Sequence, residues 1–106
     1  MENGHKKLLM RNLVTSLVLH EKIKTTEAKA RALQPVMEKV INKAKNPDSV
    51  VAIRSINSIV NSELSAKKLV EKIGKKYQNR ESGYTRIVKL GYRAGDAAPL
   101  VQIELI

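Results

Sequence analysis

Along this chain the spacing of apolar residues changes once, near Gly74, and that change limits the folds open to it. Before Gly74 apolar side chains recur every three or four residues, as on one face of a helix; beyond Tyr84 they alternate, as on a strand. A chain of 106 residues that is helical first and stranded last is one compact domain. Its helices have to cover the apolar face of its strands, so the pattern predicts a two-layer α+β fold.

The first helix is expected from Lys6 to about His20, with Leu9, Met10, Leu13, Val14, Leu17 and Val18 on its stripe. Lys22, Ile23 and Lys24 alternate and precede threonines, which suits a short strand with Ile23 inward. Thr25 or Thr26 offers a hydroxyl to cap the next helix, with Glu27 near its positive end. That helix carries Leu33, Val36, Met37, Val40, Ile41 and Ala44 to about Lys45, with a bend or a missing ladder bond expected near Arg31 because Pro35 lacks an amide hydrogen. Asn46 reads as the next cap, Pro47 as the first helical residue and Asp48 as a dipole partner for a helix over Ser49 to Val60. A fourth helix runs from Glu63 to Ile73, and Gly74 is its expected C-terminal cap.

The strand from Tyr84 to Tyr92 puts Tyr84, Arg86, Val88, Leu90 and Tyr92 on one face and Thr85, Ile87, Lys89 and Gly91 on the other. After the turn-rich loop Arg93 to Pro99, Val101, Ile103 and Leu105 alternate with Gln102 and Glu104 up to Ile106. A two-stranded hairpin is marginal alone, so it needs the helices, and the strand at Ile23 can extend it. The expected architecture is four helices packed on one face of a small two- to three-stranded sheet with a C-terminal antiparallel hairpin. Residues 1–5 read as an N-terminal tail and residues 6–106 as a single domain.

Composition removes several functions. The chain has no cysteine, hence no disulfide, thiolate metal site or cysteine nucleophile. Its apolar runs are too short to span a bilayer, and Met1 to Lys7 lacks the apolar core of a secretory signal, so an intracellular soluble protein is expected. At 42% hydrophobic, without Phe or Trp, the core must be aliphatic. His5 and His20 fall in no metal-ligand spacing, and His20 fits better as a partly cationic ring beside the carbonyls ending the first helix. No residue set stands out as catalytic.

The charge is more telling. Twenty Lys and Arg against ten Asp and Glu give +10, more than solubility requires. Six of the bases (Lys75, Lys76, Arg80, Arg86, Lys89, Arg93) lie in one stretch against the single acid Glu81. Five more (Lys6, Lys7, Arg11, Lys22, Lys24) lie in another against Glu21. Such clusters favour a polyanion. A membrane surface would need apolar stripes that this chain requires for folding, which leaves nucleic acid, held through its phosphates with release of counterions. The candidate contacts are Lys6, Lys7, Arg11, Lys22, Lys24, Arg80, Arg86, Lys89 and Arg93. Tyr84 or Tyr92 either stacks on an unpaired base or packs on the sheet with a wet hydroxyl, while Tyr77 reads as core.

Two blocks then carry a resemblance. His5-Lys6-Lys7-Leu8-Leu9-Met10-Arg11-Asn12-Leu13 with His20-Glu21-Lys22-Ile23-Lys24-Thr25-Thr26 forms the first. Ser82-Gly83-Tyr84-Thr85-Arg86-Ile87 with Arg93-Ala94-Gly95-Asp96-Ala97-Ala98-Pro99 and Ile103-Glu104-Leu105 forms the second. In this order they closely resemble the family of the bacterial large-subunit ribosomal protein numbered seventeen, over essentially His5 to Ile106; residues 48–76 match by pattern only. The resemblance implies a structural RNA-binding protein of the large subunit, in cytoplasmic ribosomes near the nascent-chain outlet. Its partners would be large-subunit rRNA and neighbouring large-subunit proteins, with no membrane, small-molecule substrate, cofactor or catalytic activity. It places the His20 to Thr26 segment and the Tyr84 to Asp96 strand and loop beside rRNA. One departure is visible: the family's usual basic extension is replaced by Met1-Glu2-Asn3-Gly4. The other reading of the same charge is a freestanding nucleic-acid-binding module outside the ribosome.

Overall fold

The computed structural model describes residues 2–57, 59–60 and 62–106, with side chains from Leu8 onward except that of Ser49. Four helices lie to one side of a three-stranded antiparallel sheet, as the spacing predicts.

Helix α1 (Glu2–His20) starts ahead of Lys6, where its periodicity begins. Val14, Leu17 and Val18 are fully buried, whereas Leu9, expected on the same stripe, is exposed. The helix closes through Glu21, whose φ of +64° lets its amide donate to Leu17 O at 2.7 Å. His20 stands in the last turn of the helix as expected, and Lys68 Nζ also reaches its end, donating to Leu19 O at 3.1 Å and pairing with Glu21 at 3.3 Å. Strand β1 (Lys22–Thr26) follows at once.

Helix α2 (Glu27–Ala44) is the centre of the core, burying Ala30, Leu33, Met37, Val40, Ile41 and Ala44. Thr26 is its N-cap residue, but the hydroxyl makes no capping bond. Glu27 instead pairs one turn on with Arg31, at 2.6 Å. The helix continues through Pro35, which lies on its exposed side with Arg31 and has no amide hydrogen to give to the Arg31 carbonyl. Before α3 (Ser49–Ile56) the caps stand two residues later than the sequence suggests. Asp48 accepts from the amides of Val50 (3.0 Å) and Val51 (3.3 Å), while Asn46 Oδ1 accepts from Asp48 N at 2.9 Å. Asn46 therefore makes the turn, and Pro47 sits in it. The β-branched α3 ends at Ile56, short of Val60.

Helix α4 (Glu63–Lys68) is capped by the Ser62 hydroxyl and runs on through a π-helical turn (Leu69–Ile73) into a closing turn (Gly74–Lys76). Gly74 is thus inside the helix at φ −58° and does not end it. Its use is proximity: a Cβ there would stand 2.8 Å from Ala44 O and 3.1 Å from Leu69 O. The closing turn comes against the end of α2 because position 74 has no side chain.

Strands β2 (Thr85–Tyr92) and β3 (Pro99–Leu105) form the expected hairpin, and β1 adds to the far side of β3, giving the order β1-β3-β2. Ile23, Ile103 and Ile87 are aligned across the sheet beneath α1 and α2. A bulge at Leu90 shifts the register between Lys89 and Gly91, so Tyr92 pairs with Pro99 and sits on the Ile87 face, not the Arg86 face that simple alternation gives it. Tyr77 and Tyr84 join the core with ring centroids 5.1 Å apart.

Candidate nucleic-acid interface

The outward face of the sheet is built by alternation. With Ile23, Ile87 and Ile103 turned to the helices, Lys22, Lys24, Arg86, Val88, Gln102 and Glu104 must point away. The strand order brings them together in rows. Lys22, Glu104 and Arg86 lie side by side across the three strands, and Lys24, Gln102 and Val88 form the next row. At about 4.8 Å per strand step, Lys22 and Arg86 start about 10 Å apart although 64 positions separate them in sequence.

Glu104 sits between the two cations. Arg86 Nη2 lies 2.7 Å from Glu104 Oε1 and Arg86 Nε donates to the same oxygen at 2.8 Å, while Gln102 Nε2 reaches Oε2 at 3.4 Å. The hydrogen bond from Arg86 holds the Glu104 carboxyl below its ordinary value, with smaller help from Gln102 and Lys22. The face therefore carries three cations against one ionised carboxylate, a net charge of two. Arg86 still exposes 61% of its side chain, so the ion pair orients the guanidinium and leaves much of it open.

The other predicted contacts are distributed. Arg93 is at the tip of the hairpin, paired with Asp96, whose carboxylate also accepts from Ala98 N at 3.2 Å. The Arg93 bond is the larger cause and the Ala98 amide the next in lowering Asp96 to about 2. Gly95, at φ +101° with open space where a Cβ would be, makes the turn. Lys89 is exposed on the Ile87 side of β2, beside the first turns of α2. Arg80 lies before β2, exposed, donating from Nη1 to Gly83 O at 3.0 Å. Arg11 is half-buried, and its Nη2 donates to Val60 O at 3.3 Å, tying α1 to the segment after α3. The side chains of Lys6 and Lys7 lie outside the described residues.

Tyr84 needs correcting. It is fully buried, its hydroxyl bonded to Asn42 Oδ1 and Arg80 O and receiving Lys45 Nζ at 2.9 Å. A ring enclosed in this way has no face for a base. Tyr92, by contrast, is 76% exposed. Sequence reasoning also missed the place of Glu104: alternation puts it outward, but only the strand order sets it between Lys22 and Arg86. Among the described residues no cluster of His, Cys, Asp or Glu fits a metal ion, and no helix is long and apolar enough to cross a membrane.

The family model for ribosomal protein L17 matches residues 9–106. The chain belongs to the ribosomal protein L17 family. The match runs through the middle helices, where sequence pattern alone was the guide. Among relatives named large ribosomal subunit protein bL17, that of Neorickettsia sennetsu is 44% identical over 104 residues, 98% of this chain and 89% of the relative. That of Desulforudis audaxviator is 42% identical over 106 residues, all of this chain and 94% of the relative. That of Rickettsia bellii is 42% identical over 104 residues, covering 72% of its own length. Membership in the L17 family makes this chain a ribosomal protein, located in ribosomes in the cytoplasm.

Proposed function

We propose that this L17-family protein is a structural, non-catalytic constituent of the large ribosomal subunit that binds rRNA through phosphate contacts, near the outlet of the nascent chain and beside neighbouring large-subunit proteins. The observation that carries the RNA contact is the placement of Lys22, Lys24 and Arg86 on one solvent-facing side of the sheet, around a single carboxylate. Phosphates of a folded RNA present charge at spacings that such a row of cations can meet, and each neutralised phosphate releases condensed counterions. Arg93 at the hairpin tip and Arg80 at the other end extend the reach along β2, with Lys89 and the N-terminal Lys6 and Lys7 as outer contacts. The aliphatic core serves to hold these cations in register.

The assignment to the large subunit is tested by sedimenting a lysate through a gradient at low magnesium, where subunits separate. The protein is expected with the large subunit and is expected to stay there after a moderate salt wash. Recovery at the top of the gradient or on messenger RNA would instead mark a freestanding nucleic-acid-binding module.

A further inference from the structure

Of the three tyrosines, two are buried and Tyr92 stands out from the end of β2 with its ring open. It does so beside a groove. One cleft of about 300 Å³ lies between the first turns of α2 and β2, lined by Glu27, Arg31, Gln34, Ile87 and Lys89. A second, of about 120 Å³, shares Glu27 and Lys89 with it and continues past Tyr92 to Pro99 and Val101. The bulge at Leu90 puts Tyr92 on this side of the sheet. The surroundings combine an apolar floor (Ile87, Val101), an aromatic wall, and the cations Arg31 and Lys89, with Arg93 next along the chain.

We propose that this groove receives one unpaired RNA base stacked on Tyr92, with its flanking phosphates held by Lys89 and Arg93. The inference rests on the RNA-binding reading above and deepens it, adding a site for single-stranded RNA distinct from the outer face of the sheet. Phosphate contacts hold a backbone but do not require an aromatic ring; a ring takes up the π-face of a base of any sequence. An apolar protein partner would also cover Tyr92, but Lys89 lines its cleft and the one carboxylate there, Glu27, is paired with Arg31, a balance of charge that favours the polyanion. Gln34, whose Nε2 donates to Thr85 Oγ1 at 3.3 Å, and Glu27 supply polar groups to the edge of a base that enters.

The test compares the full chain's affinity for a mixed-sequence single-stranded RNA oligonucleotide with that for the same strand annealed to its complement. Electrostatics alone favours the duplex, because its charge density is higher. With stacking at Tyr92 the wild type prefers the single strand; Tyr92→Leu loses about tenfold in single-strand affinity and regains the duplex preference. Tyr92→Phe, which keeps the ring, restores the single-strand affinity. An unchanged single-strand affinity in Tyr92→Leu, with salt-dependent binding intact, would overturn the groove while leaving the phosphate reading standing. The same unchanged affinity accompanied by looser retention in reconstituted subunits would reassign Tyr92 to a protein neighbour. If the wild type binds neither RNA, both readings fall together.

Discussion

A methyl group at position 74 would meet two backbone oxygens, of Ala44 and Leu69, at 2.8 and 3.1 Å. Helix propensity favours alanine over glycine by about 1 kcal/mol, so a local argument predicts that Gly74→Ala stabilises. The contact decides otherwise, because neither oxygen belongs to a flexible side chain and the closing turn has to move away from the end of α2. Gly74→Ala is expected to cost about 1–3 kcal/mol net, read as a lower midpoint in urea unfolding. The second residue to test is Tyr84. Removing its hydroxyl leaves Asn42 and Lys45 short of a partner in a half-enclosed site, and Tyr84→Phe should lose about 1–2 kcal/mol. Its RNA affinity should be unchanged where the folded state is fully populated, since the ring is inside. Neither role is visible in the sequence: Gly74 stands where a helix cap is plausible, and Tyr84 is in phase with the exposed strand residues Arg86 and Val88. Burial in each case depends on α2, thirty or more positions earlier in the chain.

At the scale of elements, spacing, helped by the capping signal before α3, located the helices and the three strands of the described residues: α1, α2 and β3 bury aliphatic side chains with the period of their own backbone, while β1 and β2 add one half-buried isoleucine each, Ile23 and Ile87. It also gave the inward set Ile23, Val101, Ile103 and Leu105. It failed where backbone geometry departs from the ideal repeat. The bulge at Leu90 adds a residue to one strand and moves Tyr92 across the sheet; Gly91 beside it, at φ +119°, is its one mark in the sequence, and plain alternation passes over it. The cap before α3 shifted from Asn46 to Asp48 because both residues can accept from a backbone amide, and local sequence does not say which one helix geometry selects. The hairpin loop makes a prediction of its own. Asp96 is held down by Arg93 and the Ala98 amide, so whatever order the pair gives the loop is fully present above the ordinary carboxyl value of 3.8 and is lost as pH falls through about 2. An NMR titration should find the Asp96 carboxyl midpoint near 2, with the Ala98 amide moving alongside; a midpoint near 4 would mean that the pair does not form in solution.

For the whole molecule the strand order matters most. Lys22 and Lys24 from one basic cluster and Arg86 from the other share one face of the sheet because β1 pairs with β3 and β3 with β2. Pairing of distant strands cannot be read from local spacing, so the sequence supplied the cations and their faces but not their meeting. Three of the twenty basic residues are thereby gathered around one carboxylate on a single face. Arg86→Ala and Arg93→Ala should weaken RNA binding with little change in unfolding midpoint, because both side chains are largely open to solvent, 61% and 49% exposed, and their ion pairs lie at the surface. The direct measurement is the salt dependence of binding to deproteinised large-subunit rRNA. With about five phosphates engaged, log affinity should fall with log salt at a slope of about four, and Lys22→Ala with Lys24→Ala should reduce that slope by about two. A slope that the double variant leaves unchanged would contradict the assignment of the outer sheet face to RNA.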